Sequence, residues 1–403
     1  IGPEAMGILS EHLFLAGLRQ GLVCLTTLLL SDNPLRVPGA LTLGKGLRCL
    51  PCLQHLQLAN TCLEDAGAEA LVKGLGNGHF FTHGHGAAKG RRIERTGQTM
   101  RGLATALPQL RVLGLRSNGL GAQAVNAIAP LLGRLHRLDV GLNLLDDEAM
   151  AKLCQSLSAP PLASEAPLYP SGGSAEHLEH LNVLHNKFGP VGEQHLLGLC
   201  QSVGSIVSLN GCDVTGRVVN QDLIMDGCLS KHALAELHVL AKGLRVKLKG
   251  GLRRISLRRC DLCKTASDTA AGEALMLAAL RRIVQAGGAQ GLVELDVRDN
   301  DLGRWPGGCE QLAQSLFEQL IHDSPTLSIL NGVVLRGVCC EHGDGVGAIK
   351  DSVGHARYCK DWGPLEAVLL KESIAQRCSA CKHAKDGING PVRCSFAANV
   401  TTF

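Results

Sequence analysis

The sequence predicts an α/β solenoid, a horseshoe with parallel strands on its concave face, helices on its convex face and an irregular Cys-rich C-terminal tail. Three observations carry this expectation. A short leucine motif recurs along the chain, apolar or small residues follow it at four-residue steps, and the hydrophobic content is almost free of aromatic rings. Hydrophobic residues make up 45% of the 403 residues but aromatics only 3%, so the interior must be built from Leu, Ala, Val and Ile. A single core does not grow to this length, whereas an array lengthens by adding repeats. The 49 Gly residues fit many tight turns between short elements.

The motif reads L-x-x-L-x-L-x-x-N-x-L. It occurs at Leu25, Leu28, Leu30, Asn33 and Leu35, then at Leu53, Leu56, Leu58, Thr61 and Leu63. The third copy is Leu110, Leu113, Leu115, Asn118 and Leu120, and the fourth is Leu135, Leu138, Val140, Asn143 and Leu145. Three more follow, at Leu178–Phe188, Leu252–Leu262 and Leu292–Leu302. The alternating apolar residues describe a short strand with one face buried. Asn or Cys near the motif's end can sit inside and bond backbone groups that the turn leaves unpaired.

After the motif, Leu35, Gly39, Leu43 and Leu47 recur at steps of four, as do Leu63, Gly67, Leu71 and Leu75. The same holds for Leu120, Ala124, Ile128 and Leu132, for Leu145, Ala149, Leu153 and Leu157, and for Phe188, Gly192, Leu196 and Cys200. Four-residue steps predict helices, and the small second residue lets each helix approach the strand layer. Strand plus full helix, 28 residues from Leu25 to Leu53, resembles the ribonuclease-inhibitor-like class of leucine-rich repeats. The resemblance covers roughly residues 20–335.

The expected organisation is an N-terminal array over 1–212 with insertions at 76–99 and 158–174. A helical connector or degenerate repeat follows over 213–251, then a second array over 252–335 and a Cys/His-rich tail over 336–403. The segments Ile206–Gly211 (IVSLNG) and Leu327–Gly332 (LSILNG) look like the closing strands of such arrays. Leu234, Leu237, Val239 and Leu244 fit either a degenerate strand or, preferably, a helix.

The residues between the motif leucines point outward in register and form the default binding face. They are Gln54, His55 and Gln57; Arg111 and Arg116; His136, Arg137 and Asp139; Glu179, His180 and Asn182; Arg253, Arg254 and Arg258; and Glu294, Asp296 and Arg298. Arginine is frequent among them, which suits an acidic protein partner; a merely solvated surface is the plainer alternative.

Elsewhere, His79, His83 and His85 with Arg91, Arg92 and Arg95 lie in the first insertion, a Gly-rich stretch without the pattern of a phosphate loop. In the tail, Cys359, Cys378, Cys381 and Cys394 are candidate zinc ligands, the C-x-x-C pair having knuckle spacing, with free cysteines as the alternative. No other cofactor is expected. No nucleophile elbow, H-E-x-x-H or dinucleotide fingerprint is present, so no catalytic residue is proposed.

A net charge of +4 implies neither nucleic acid nor membrane. The stretch Leu13–Leu30 is broken by Arg19 and Gln20 and reads as neither a membrane span nor a signal peptide. Seventeen Cys, an odd number with several inside the repeats, point to reduced thiols and an intracellular, cytoplasmic setting, to which the resemblance to leucine-rich arrays adds, by analogy alone, cytoskeletal or ciliary assemblies. The expected function is a non-enzymatic protein-binding scaffold or structural subunit of a larger complex. One alternative is a GTPase-activating protein for the Ran GTPase, whose family has similar long repeats, although that family's acidic tail is absent. The other is a substrate-selecting component of a ligase or sensor with a zinc-binding tail.

Overall fold

The computed structural model describes residues 2–18, 24–76, 107–158, 178–214, 217–247, 251–262, 270–288, 291–300, 327, 329–331, 333 and 334. The chain divides into two compact units, residues 1–211 and 212–403.

The first unit opens on helix α1 (Pro3–Leu18) and then alternates strand and helix: β1 (Thr27–Leu29), α2 (Arg36–Leu47), β2 (His55–Gln57), α3 (Glu64–Gly76), β3 (Val112–Gly114), α4 (Ala122–Leu132), β4 (Arg137–Asp139), α5 (Asp147–Ser158), β5 (His180–Asn182), α6 (Pro190–Ser202) and β6 (Ser208–Leu209). Its six strands form one sheet in chain order, and every pairing is parallel. Each helix packs on the next, from α1 to α6. The middle residues of the strands, Leu28, Leu56, Leu113, Leu138, Leu181 and Leu209, lie in one register row. The leucines of that row from Leu56 to Leu209 are buried, as are all the residues at the four-residue steps. Sheet and helix layer therefore share a continuous aliphatic interior, and the solenoid expected from the sequence is present.

An asparagine ladder holds successive turns together. Asn118 donates Nδ2–H to the carbonyls of Leu58 (2.6 Å) and Leu115 (3.1 Å), and its Oδ1 accepts the Thr61 N–H (2.9 Å). Asn143 repeats this one turn later, donating to Leu115 and Val140 and accepting from Asn118 and Leu120. Asn186 continues it, with Val140, Val183 and Leu145. Each side chain satisfies backbone groups that a parallel turn leaves orphaned, which is why a polar residue can be buried there.

The residue just before each ladder position is left-handed: Asp32, Asn60, Ser117, Leu142 and His185 here, and Gly227, Arg259 and Asp299 in the second unit. Two carboxylates also work across repeats. Asp65 Oδ1 accepts the N–H groups of Gly121 and Ala124 at the start of α4, and Asp147 Oδ1 those of Gly189 and Gly192 at the start of α6. The small residue at the second helical step has a matching cause: a Cβ on Gly192 would lie 2.7 Å from Phe188 Cβ and 2.8 Å from Asp147 Oδ1.

The second unit contains β7 (Val218–Val219), β8 (Asp222–Ile224), α7 (Ala233–Lys247), β9 (Arg254–Ser256), α8 (Ala270–Ala286), β10 (Glu294–Asp296), β11 (Ile329–Leu330) and β12 (Val333–Val334). Strands β8 to β11 are parallel, and antiparallel β7 and β12 finish the two edges. Residues 213–251 thus hold both a hairpin and a helix. Leu234 to Leu244 are helical, while the strand of this repeat lies earlier, where Leu223 pairs in register with Ile255. The leucine motif does not announce this strand, which carries Leu223 and Met225 without a leading leucine.

Asn300 serves as the ladder residue, bonding Leu257, Val297 and the Cys260 N–H. Cys260 takes the same role one turn earlier, with Sγ 3.2 Å from the Met225 carbonyl. The two L-N-G segments are built alike, since Asn210 Oδ1 accepts from Val183 N–H and Asn331 Oδ1 from Val297 N–H.

Candidate functional site

Strand alternation turns two residues of every three-residue strand away from the interior. In the first unit the outward rows are fixed by register. One runs Thr27, His55, Val112, Arg137, His180 and Ser208, and the other Leu29, Gln57, Gly114, Asp139 and Asn182. The structure therefore brings His55, Gln57, Arg137, Asp139, His180 and Asn182 onto one face. Arg116 lies two residues beyond β3, at the strand ends.

Gln54, Arg111, His136 and Glu179 sit one residue ahead of the strands. Their carbonyls each accept two N–H groups from the following strand. The Arg111 guanidinium turns back to the Leu110 and Pro108 carbonyls (3.1 and 3.4 Å). Glu179 stands 4.0 Å from His180. Arg116 and Arg137 form no ion pair among the described residues, and Arg137 is exposed.

The second unit treats its charges differently. Asp222, Arg254 and Glu294 form one row, with Arg254 Nη2 3.3 Å from Glu294 Oε1. Burial pushes the Glu294 carboxyl up, and Arg254 opposes that shift. Arg258 pairs with Asp299 at 3.0 Å, and Arg259 approaches the same carboxylate at 3.5 Å. Arg298 grips Asp296 with Nε at 2.9 Å and Nη2 at 2.6 Å.

Asp296 is fully buried, so it is not an exposed contact residue as expected; its carboxylate instead orients Arg298. Of the arginines expected to face a partner here, Arg254, Arg258 and Arg298 are met by the protein's own carboxylates, and Arg253 is exposed. Sequence spacing gave these residues their row, but not the neighbouring strand's matching charge.

Motif reading also passed over the strand-end positions. Leu142, Leu144 and Ile224 are 43%, 46% and 49% exposed. The signal was available, because residues beyond the last strand leucine return to the outward side.

The tail residues Cys359, Cys378, Cys381 and Cys394 lie outside the described residues. So do the insertions over 76–99 and 158–174, with His79, His83, His85, Arg91, Arg92 and Arg95, apart from Gly76 and Ser158, which end helices. Among the described residues no three His, Cys, Asp or Glu side chains group as metal ligands, and no helix is long and apolar enough to cross a membrane. The nine described cysteines are free thiols. Burial pushes Cys154 up to about 12, and Cys212 and Cys260 are also raised, burial being the main cause.

A family model described as a leucine-rich repeat matches residues 49–72, from the turn after α2 through β2 into α3. The mouse (Mus musculus) NACHT, LRR and PYD domains-containing protein 12 is 34% identical over 137 residues, which cover 32% of this chain and 13% of that protein. The matched region is thus a small part of that relative's length. Among solved structures, a chain from the Rad7 and Elc1 complex in yeast aligns over 81% of this chain and 82% of its own, with 13% identity and a TM-score of 0.28. The repeats described above are leucine-rich repeats.

Proposed function

We propose that this leucine-rich-repeat protein is a non-enzymatic scaffold that holds another protein on the strand face of its first unit. One contrast carries the reading. Arg116 and Arg137 of the first unit, on or beside a row with His55 and His180, have no carboxylate partner among the described residues, whereas the second unit meets Arg254, Arg258 and Arg298 on its strand face with its own carboxylates. A stiff sheet that presents Arg116 and Arg137 outside any ion pair among the described residues contacts a partner without first breaking such pairs. The free thiols, several buried and held protonated, support a reducing compartment, and we place the protein in the cytoplasm as part of a larger complex. The GTPase-activating and ligase readings draw no support from the described residues.

The test is affinity capture from the native source with the full chain and with an Arg137→Glu, His55→Glu variant. Wild type is expected to retain a defined protein that the variant loses while keeping its thermal midpoint. Equal retention by both contradicts the assignment of the face.

A further inference from the structure

Of the eight left-handed turn residues, seven are polar or glycine, and Leu142 is the aliphatic exception at φ 53. Asparagine or glycine takes that conformation readily, but a leucine is strained in it. Leu142 is also 43% exposed, and Leu144 beside it 46%. Neither the backbone nor the solvent favours leucine at this position. A partner that buries it does.

Next to Leu142 is Gly141, and its missing side chain lets three groups from three repeats converge. A Cβ there would lie 3.0 Å from Arg116 Nη1, 3.2 Å from Asp139 Oδ1 and 3.3 Å from Asn182 Nδ2. The groups are anchored: Asp139 Oδ1 accepts the Gly141 N–H at 3.0 Å, and Asn182 Oδ1 the Leu184 N–H at 3.1 Å. Two donors and one acceptor therefore meet over bare backbone, beside two exposed leucines.

We propose that this is the hot spot of the binding face, taking a partner segment that carries an aliphatic side chain next to a carboxamide, Asn or Gln. The aliphatic group covers Leu142 and Leu144. The carboxamide oxygen accepts from Arg116 and Asn182 while its NH2 donates to Asp139. A carboxylate or phosphate would satisfy the donors but confront Asp139, and an ammonium would confront Arg116; a carboxamide is donor and acceptor in one plane and meets both. The inference rests on the first unit's strand face being the binding surface.

To test it, short random peptides displayed on phage are selected on the full chain, and the winners are synthesised and titrated. The expected winners share Asn or Gln beside Leu, Ile, Val or Met. Leu142→Asn should weaken them by at least about tenfold while raising the thermal midpoint, because asparagine tolerates the left-handed turn. Opposite signs in one variant separate a lost contact from a damaged fold. Arg116→Gln and Asn182→Ala should weaken the same peptides.

Acidic winners, or binding indifferent to Leu142→Asn, overturn the proposal. So does a wild-type dimer in sedimentation that Leu142→Asn dissolves, since a second copy would then be the occupant. Peptides lost on Arg137→Glu but kept by Leu142→Asn sink the hot spot and leave the wider face standing. Peptides insensitive to every variant sink both.

Discussion

Asn143 shows how much one side chain can carry in a stacked array. Its amide spans two turns, donating to Leu115 and Val140 and accepting from Asn118 and Leu120. Asn143→Ala takes the acceptor from the buried Asn118 and Leu120 N–H groups, while the Leu115 and Val140 carbonyls keep Asn118 and Asn186 as donors, and the expected loss is about 2–4 kcal/mol in urea unfolding. A loss near zero would mean that water replaces the amide. His238 gives a pH signature: burial first, then Lys242, Arg282 and Arg245, lower it from 6.5 to about 4. Between those values the unfolded chain takes up a proton that the folded one refuses, so this residue removes stability as pH falls from 6.5 towards 4. His238→Gln should flatten the acid side of the stability profile in that window. Cys154 acts at the other end. With its folded value raised from 9.0 to about 12, stability attributable to it is lost as pH climbs from the lower value to the higher, and Cys154→Ala should reduce that slope.

At the scale of elements, the layers are set by which helices can approach. Helices α2 and α3 meet at Gly44 and Gly74, where a Cβ on Gly44 would lie 3.0 Å from Gly74 Cα and press on the Leu71 carbonyl oxygen. Gly44→Ala is therefore expected to cost about 1–3 kcal/mol through overpacking. Gly133, at the end of α4, has φ −64 and nothing within 4 Å of its missing Cβ. Gly133→Ala should stabilise by about 0.4–1 kcal/mol through a less flexible unfolded chain. Thermal melts of the two variants must move in opposite directions; parallel shifts would contradict this packing.

For the molecule as a whole, what the sequence revealed follows from period and what it hid follows from neighbours. Leu113, Leu138 and Leu181 announce their shared interior row because burial at fixed spacing leaves a trace in every copy. Asn118, Asn143 and Asn186 were legible for the same reason. The strand of the degenerate repeat was not, because Leu223 and Met225 sit where earlier copies have a fuller leucine pattern. Asp65 and Asp147 escaped because they cap the helix of the next repeat, a partnership that spans 56 and 42 residues to Gly121 and Gly189. The outward rows could be enumerated, yet the pairing of Arg298 with buried Asp296 and of Arg258 with Asp299 depends on side-chain reach that spacing does not encode.

Amide hydrogen exchange on the captured complex, compared with the free chain, tests the strand-face assignment most directly. Protection is expected over 112–117, 137–144 and 180–185, where β3 to β5 and their turns present Arg137, Leu142 and Asn182. Protection confined to the helices α4 to α6, with those strands and turns exchanging as in the free chain, would contradict it.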